Sequence, residues 1–529
     1  MTAETRIRGL AAHVDLRGGH RRTALRQRLQ TLIATLGEPA GDGEPTLALI
    51  SRLAAELHEP TDDRVWLTLA VISGRLPHPL DVADAIRTAR LDGSVAALAK
   101  PLKAHRPGWP VRRGPWPRVR VVTGQVLVDV HHTSRTGLAT GIQRVARQSA
   151  QRWERDHSPV LVGWTHDLRS LRALTAAERS QALYGHRDAE VAGSISADLL
   201  VPWHCTYVLP ELMTEARRAL ALEAMLQRSG TTGSMIGFDC VPLTSAETIA
   251  EGMGAGFSQM LSAMAYGARI AAISQAAATE YRGWRAMLAG AGLTGPEITA
   301  VPLPVEAVEP SPAAMAAAHE QLVTDGLPMV LCVGSHEPRK NHLAVLHAAE
   351  VLWREGLQFS LAFVGGNAWH SERFAARLAE LQSAGRPLTS VRGLSDDLLW
   401  AAYRLARCVI FPSLNEGFGL PVAEALASGT PAITSGFGSM REIAAEGGAE
   451  LVDPRDDRDI RDALRRLLTD DDLHARRSAE ARSRSVRTWE HYAAQTWALL
   501  VDGRQPAAYG DESDAAVGSA PTPAGTRER

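Results

Sequence analysis

The sequence predicts an α/β protein with two doubly wound halves facing a cleft, behind an N-terminal helical domain. Three observations predict it. Short apolar runs without alternation, such as Met329-Val-Leu-Cys-Val333 and Val409-Ile-Phe411, read as buried parallel strands. Each is followed by a glycine-bearing or capped turn and then a helical pattern, the βα repeat of a doubly wound sheet. Residues 1–105 instead carry helical spacing.

In that N-terminal domain Leu25, Leu29, Leu32, Ile33 and Leu36 share one helix face, and Gly37 and Pro39 end the helix. Residues 46–57 form a second helix, stopped by Pro60. Thr61 caps a third, with Asp62 and Asp63 in its first turn. Residues 80–102 supply more helix, broken near Gly93. No catalytic constellation stands out, so the default role is a packing or interaction module. Residues 106–118 are a linker dense in Pro and Gly, with Trp109 and Trp116 among Arg106, Arg112, Arg113 and Arg118. That mixture suits peripheral contact with an anionic membrane surface, but no amphipathic helix carries the charges, so the plainer reading is a linker pinned to a domain by two tryptophans.

Residues 119–302 read as the first Rossmann-like half. Gln125-Val-Leu-Val-Asp-Val130 is a strand, and after a loop Gly141-Ile-Gln-Arg-Val145 opens a helix. Met235-Ile-Gly-Phe-Asp239 is a strand with its exit. Ala268-Arg-Ile-Ala-Ala-Ile-Ser274 is another, and Ser274 caps the helix after it. Residues 303–503 read as the second half, with strands at 329–333, 359–364, 408–411 and 431–434 and a closing helix at 489–501. Residues 504–529 have the composition of a disordered tail.

The bulk numbers exclude several classes. A net charge of −2 gives no case for nucleic acid. Cys205, Cys240, Cys332 and Cys408 are too scattered for a disulfide framework or a zinc site, which fits a reducing compartment. The N-terminus lacks a signal-peptide apolar core, and no apolar run is long enough to span a bilayer. The expectation is a cytoplasmic protein, with the linker as its one candidate contact with the inner face of a membrane.

Two segments carry chemistry. In Phe411-Pro-Ser-Leu-Asn-Glu-Gly-Phe-Gly-Leu-Pro-Val-Ala-Glu424 a strand exit meets a glycine-bearing turn and a helix start, where Pro421 suits the first helical position. The amides of Gly417, Phe418, Gly419 and Leu420 then form an anion site. Glu416 and Glu424 flank it, and carboxylates accept hydrogen bonds from hydroxyls. Phosphate between two sets of hydroxyls describes a nucleotide-sugar; the plainer reading is a junction whose acids favour the helix dipole. In Val333-Gly-Ser-His-Glu-Pro-Arg-Lys-Asn341, Gly334 allows a sharp turn. Arg339 and Lys340 then bring two cations to the sheet edge, where a departing diphosphate accumulates charge. The plainer reading is a solvated basic pair. Lysine is otherwise confined to Lys100 and Lys103, which makes the position of Lys340 informative.

The 411–431 string is similar to the donor-site signature of the retaining glycosyltransferases of family four (glycosyl transferases group 1), which have the GT-B fold. The resemblance implies that Glu424 holds ribose hydroxyls, Glu416 the hydroxyls of the transferred sugar, and the 417–420 amides its phosphate. It makes Gly334, Ser335, Arg339 and Lys340 a phosphate loop, although Ser335 stands where some members carry arginine. Arg392 would lie against the base, either stacked on it or at the surface. Gly141 and Arg144 resemble a loop–helix start lining the cleft, where Arg144 faces donor, acceptor or solvent. Asp239 follows Phe238, which replaces a histidine common in the family. It is either an acceptor contact or a turn cap. The implied catalytic set is Glu416, Arg339, Lys340 and Asp239.

The implied activity is metal-independent, retaining transfer of a hexose from a nucleotide diphosphate sugar to a hydroxyl of a saccharide or lipid-linked acceptor. GDP-mannose is the leading donor, and the donor is a co-substrate, so no cofactor is expected. A same-fold nucleotide-sugar epimerase and a non-catalytic nucleotide-sugar-binding protein are the alternatives. A dinucleotide oxidoreductase is disfavoured, since no Gly-x-Gly-x-x-Gly opens either half.

Overall fold

The computed structural model describes residues 2–16, 19–37, 39–41, 43–103, 117–137, 140–186 and 198–505. The linker tryptophans Trp109 and Trp116, with their neighbouring arginines up to Arg113, lie outside the described residues. So does the tail beyond residue 505.

Among the described residues the strands form two sheets. The first has nine strands: β1 (Val119–Thr123), β2 (Val126–Asp129), β3 (Val160–Trp164), β4 (Leu171–Ala173), β5 (Leu199–Trp203), β6 (Thr206–Leu209), β7 (Thr232–Gly237), β8 (Arg269–Ala272) and β9 (Glu297–Ala300). Their order is β1-β5-β4-β3-β2-β6-β7-β8-β9. Only β4 runs against its neighbours β3 and β5; the other pairs are parallel. The second sheet has six parallel strands: β10 (Met329–Val333), β11 (Ser360–Val364), β12 (Leu388–Val391), β13 (Cys408–Phe411), β14 (Ala432–Ser435) and β15 (Ala449–Val452), in the order β12-β11-β10-β13-β14-β15. Every residue of β10, β11 and β13 is buried, as unalternating apolar runs require when helices cover both faces.

Register positions the chemistry. Leu331 pairs with Val409, and Phe411 with Thr434, so the loops after β10, β13 and β14 leave the sheet at one edge. Parallel strands emit their exit loops on the same side, which brings residues 334–341, 412–419 and 436–437 together.

The helical domain runs from Ala3–Asp15 to Ser94–Lys103, interrupted at Gly93. Leu29, Leu53, Trp66 and Leu98 are buried in one core continuous with Val122, Leu200 and Tyr207 of the first sheet. Thr61 precedes the helix Asp62–Ser73, but its hydroxyl bonds Asp63 rather than a backbone amide. Two further expectations are corrected. Pro421 sits one place inside the helix Leu420–Ala427 rather than first in it. The closing helix Trp489–Trp497, placed by sequence with the second half, packs on the first. Trp489, Tyr492 and Trp497 belong to the first core, and the Trp153 indole N–H donates to the Ala493 carbonyl at 2.9 Å. Its apolar face matches the helix Gly141–His157, a partner that local sequence does not reveal. The four cysteines are buried and unpaired. No helix among the described residues is long and apolar enough to cross a membrane.

Candidate active site between the two sheets

The loop after β10 begins at Gly334, whose φ of 144° is open to glycine and strained for other residues. Gly365, after β11, has no room for a side chain, because a Cβ there would collide with the Gly334 carbonyl oxygen. The chain then passes exposed Ser335 and a short 3-10 turn, Pro338–Lys340. That turn delivers two cations to the loop after β13. Arg339 Nη1 meets Glu416 Oε2 at 2.7 Å and the Asn415 carbonyl at 2.6 Å. Lys340 Nζ meets Glu416 Oε1 at 2.6 Å and lies 5.1 Å from the centre of the Phe411 ring. The Ser413 hydroxyl donates to Glu416 Oε1 at 2.7 Å.

Glu416 therefore bridges both cations, with its side chain 9% exposed. Burial pushes its carboxyl up, but Arg339 and Lys340 overcome this and hold it at about 2. Glu337, buried in the same turn, accepts from Arg339 Nη2 at 2.7 Å and leaves its other oxygen without a hydrogen-bond partner. The cationic pair thus carries two counter-charges. Lys340 still has N–H donors for a phosphate.

Glu424 lies eight residues on and is buried. It accepts from Arg144 Nη1 across the cleft at 2.6 Å and from the Tyr403 hydroxyl at 2.8 Å. Burial raises its carboxyl above the ordinary value, against the pull of Arg144 and Tyr403. Arg144 stands in the first turn of the helix Gly141–His157, and Gly141 brings that turn against Leu420: a Cβ there would lie 3.1 Å from Leu420 Cδ1.

Asp239 performs the turn-capping role, accepting the Val241 amide at 3.1 Å. Its other oxygen faces the glutamate loop. A Cβ on Gly417 would stand 2.7 Å from Asp239 Oδ2 and 2.5 Å from the Phe238 carbonyl oxygen, so only glycine lets the halves touch there. Burial raises the Asp239 carboxyl to about 6, with Arg339 opposing and Glu280 and Glu416 adding. Arg392 follows β12 and is exposed, apart from this cluster but near enough to His336 to help depress that imidazole below the effect of burial alone.

The structure thus gathers Gly334, Arg339, Lys340, Asp239, Glu416, Gly417, Phe418, Gly419, Leu420, Glu424, Gly141 and Arg144 into one crevice between the sheets. It also adds residues that sequence reasoning missed. Glu337 was signalled only by an acid two places before Arg339. Ser413 and Tyr403 carried no signal, and Ser274 was legible only as a helix cap; its hydroxyl accepts the Ala277 amide and also donates to the Gly417 carbonyl across the cleft at 2.7 Å. Glu442 caps that same helix from the other half, accepting the Gln275 amide at 2.9 Å.

Two Rossmann-like halves with phosphate-type loops at their shared crevice define the GT-B fold. Sucrose-phosphate synthase from Thermosynechococcus elongatus superposes with a TM-score of 0.53 at 17% identity, covering 71% of this chain and 98% of that one. Residues 316–484 match the family model described as glycosyl transferases group 1. The serotype-specific mannosyltransferase WbdA of Escherichia coli is 28% identical over 365 residues, 64% of this chain and 42% of that protein. The MMP alpha-(1->4)-mannosyltransferase of Mycolicibacterium hassiacum is 40% identical over 111 residues, 20% of this chain and 27% of the relative. The match thus spans less than half the length of either relative.

Proposed function

We propose that the protein is a retaining glycosyltransferase that moves a hexose from a nucleotide diphosphate sugar to a hydroxyl of a saccharide or lipid-linked acceptor in glycan synthesis. The observation that carries this is the Arg339–Glu416–Lys340 cluster at the edge of the second sheet, one short helix start from Glu424. In this reading the remaining N–H donors of Arg339 and Lys340, with the amides at 418–420, take the diphosphate. The ribose diol displaces Arg144 from Glu424, and Glu416 holds the sugar while setting the orientation of both cations.

The C1–O bond breaks with its electron pair leaving on the phosphate. The acceptor oxygen attacks C1 on the same face, and its proton passes to the departing phosphate oxygen. No metal is invoked, because fixed cations and amides stand where the leaving group gathers charge and no Asp-x-Asp element precedes the loop. The mannosyl donor is carried over from WbdA and the mycolicibacterial enzyme, whose printed names are mannosyltransferases. Closure of the halves would keep water from the reacting carbon.

The test is release of nucleoside diphosphate from a panel containing GDP-mannose, UDP-glucose, UDP-galactose and UDP-N-acetylglucosamine. One donor should be hydrolysed slowly without acceptor, and Lys340→Ala and Glu424→Ala should each lower that rate by about a hundredfold or more. Absence of hydrolysis and binding with every donor, or variants as active as the parent, would overturn the proposal.

A further inference from the structure

The cations read as the diphosphate contact are nearly hidden from solvent. The side chains of Arg339 and Lys340 are 14% and 12% exposed, and those of Glu337 and Glu416 are 3% and 9% exposed. A nucleoside diphosphate sugar cannot reach them through so narrow an opening, so part of the protein must move before it enters.

The cover can be traced. Because β11, β10 and β13 are parallel neighbours, their exit loops stand side by side. Hydrogen bonds join the three. The His336 amide donates to the Gly366 carbonyl at 2.8 Å, and the Leu414 amide to the Arg339 carbonyl at 2.8 Å. The middle loop carries the cations. Residues 241–248 of the first half rest on both outer loops. They follow Asp239 and form a one-turn helix, Val241–Thr244, and a 3-10 turn, Ala246–Thr248. At one end the Asn415 side-chain amide donates to the Thr244 hydroxyl at 3.2 Å and the Ser245 hydroxyl at 3.1 Å. At the other the Trp369 indole N–H donates to the Thr248 carbonyl at 2.7 Å. A segment held on both sides of the phosphate-type loop lies across it as a bar.

The bar is firm in its own half. The Leu243 and Thr244 amides bond the Cys240 carbonyl at 2.8 and 2.9 Å, and Glu280 takes the Cys240 amide at 2.8 Å. Its holders are looser. Trp369 follows Gly365 and Gly366, and after it His370, with φ at 56°, turns the chain back. Every bond that holds the bar to the second half joins neutral groups, so each contributes little net energy and can break and re-form readily. The side chains of Asn415 and Trp369 touch none of the groups assigned to the donor.

We propose that Asn415 and Trp369 form a clasp that latches residues 241–248 over the phosphate-type loop, so that a nucleotide-sugar enters only when the clasp opens. The clasp rests on the transferase reading and adds to it a gate on donor entry. Since the same bonds hold the bar before entry and after it, weakening them speeds entry and exit together and leaves the balance between them unchanged.

Stopped-flow binding of GDP and UDP, each carrying a fluorescent N-methylanthraniloyl group, to the full chain measures both rates. Trp369→Phe keeps an aromatic ring and loses the N–H; Asn415→Ala loses the amide. In each variant association and dissociation should both quicken about fivefold or more. Kd should stay within about twofold of the parent's. The double variant should be faster than either. A second arm needs no nucleotide: spin labels at exposed Gln259, in the helix Met253–Met264, and exposed Ala376, in the helix Glu372–Ser383, report the distance between the halves by pulsed EPR. The parent should give one narrow distance, and the double variant should add a longer one. The clasp is overturned if both rates match the parent's, if dissociation alone quickens, or if the label distances of the double variant equal the parent's. Failure of both nucleotides to bind the parent would instead sink the transferase reading, and the label distances would still decide whether the halves are latched.

Discussion

Replacing Glu416 by glutamine should destabilise the second half of the molecule by about 3 kcal/mol at pH 7. The carboxylate takes hydrogen bonds from Arg339 at 2.7 Å, Lys340 at 2.6 Å and Ser413 at 2.7 Å, nearly out of contact with water. It is held at about 2 in the folded protein. Against an unfolded value of about 4.3 this is roughly two units, each worth about 1.4 kcal/mol. Breaking a buried ion pair by removing one partner costs about 3–5 kcal/mol, the same range by an independent route. For a domain of this size the loss lowers Tm by about 6–12 °C.

The pH dependence sharpens the test. A depressed carboxyl contributes stability that is fully present above its unfolded pKa and is lost as pH falls through the folded one. The gap between parent and Glu416→Gln should therefore be flat from about pH 8 to pH 5, narrowing only below about pH 4. Thermal and urea unfolding across that range measure it. A gap under about 1 kcal/mol at pH 7, or one that already closes between pH 8 and 6, would refute the account of the cluster.

Three further outcomes are expected. Asp239, raised to about 6, contributes stability below about pH 4 that is lost as pH rises through about 6; Asp239→Asn should flatten that part of the stability profile, and an unchanged profile counts against its placement. Gly417→Ala should cost about 1–3 kcal/mol or part the halves, because the added methyl meets Phe238 and Asp239; unchanged Tm and small-angle scattering radius would contradict the contact. Arg144→Ala removes the cation facing Glu424, whose carboxyl should rise further, so that nucleoside diphosphate affinity falls as pH drops from about 7 to about 5. A flat calorimetric profile would show that the pair has no such role.

What could be read from the chain alone followed from local chemistry. The strands of the second sheet appeared as unbroken apolar runs, and their exit loops announced themselves through Gly334, Arg339, Lys340, Glu416 and Glu424. Contacts between distant segments left no such trace. The pairing of Glu416 with both cations depends on the β10–β13 register, and that of Arg144 with Glu424 on the meeting of two sheets. Asp239 was visible as a turn cap, while its approach to Gly417 was not. The clasp across residues 241–248 was hidden because its two side chains, Asn415 and Trp369, come from separate loops of the other half. The closing helix was misplaced for the same reason: amphipathicity shows that a face is buried, not against what.

That return of the chain has a mechanical consequence. The polypeptide passes between the two halves near residues 301–311 and again near 483–488, just before the helix Trp489–Trp497 docks against Trp153 through Ala493 and Trp497. Two tethers side by side act as a door hinge rather than a leash: they permit swinging about one axis and resist sliding or wholesale separation. A protease nick at either crossing should leave the halves co-migrating on a sizing column, still joined by the uncut span.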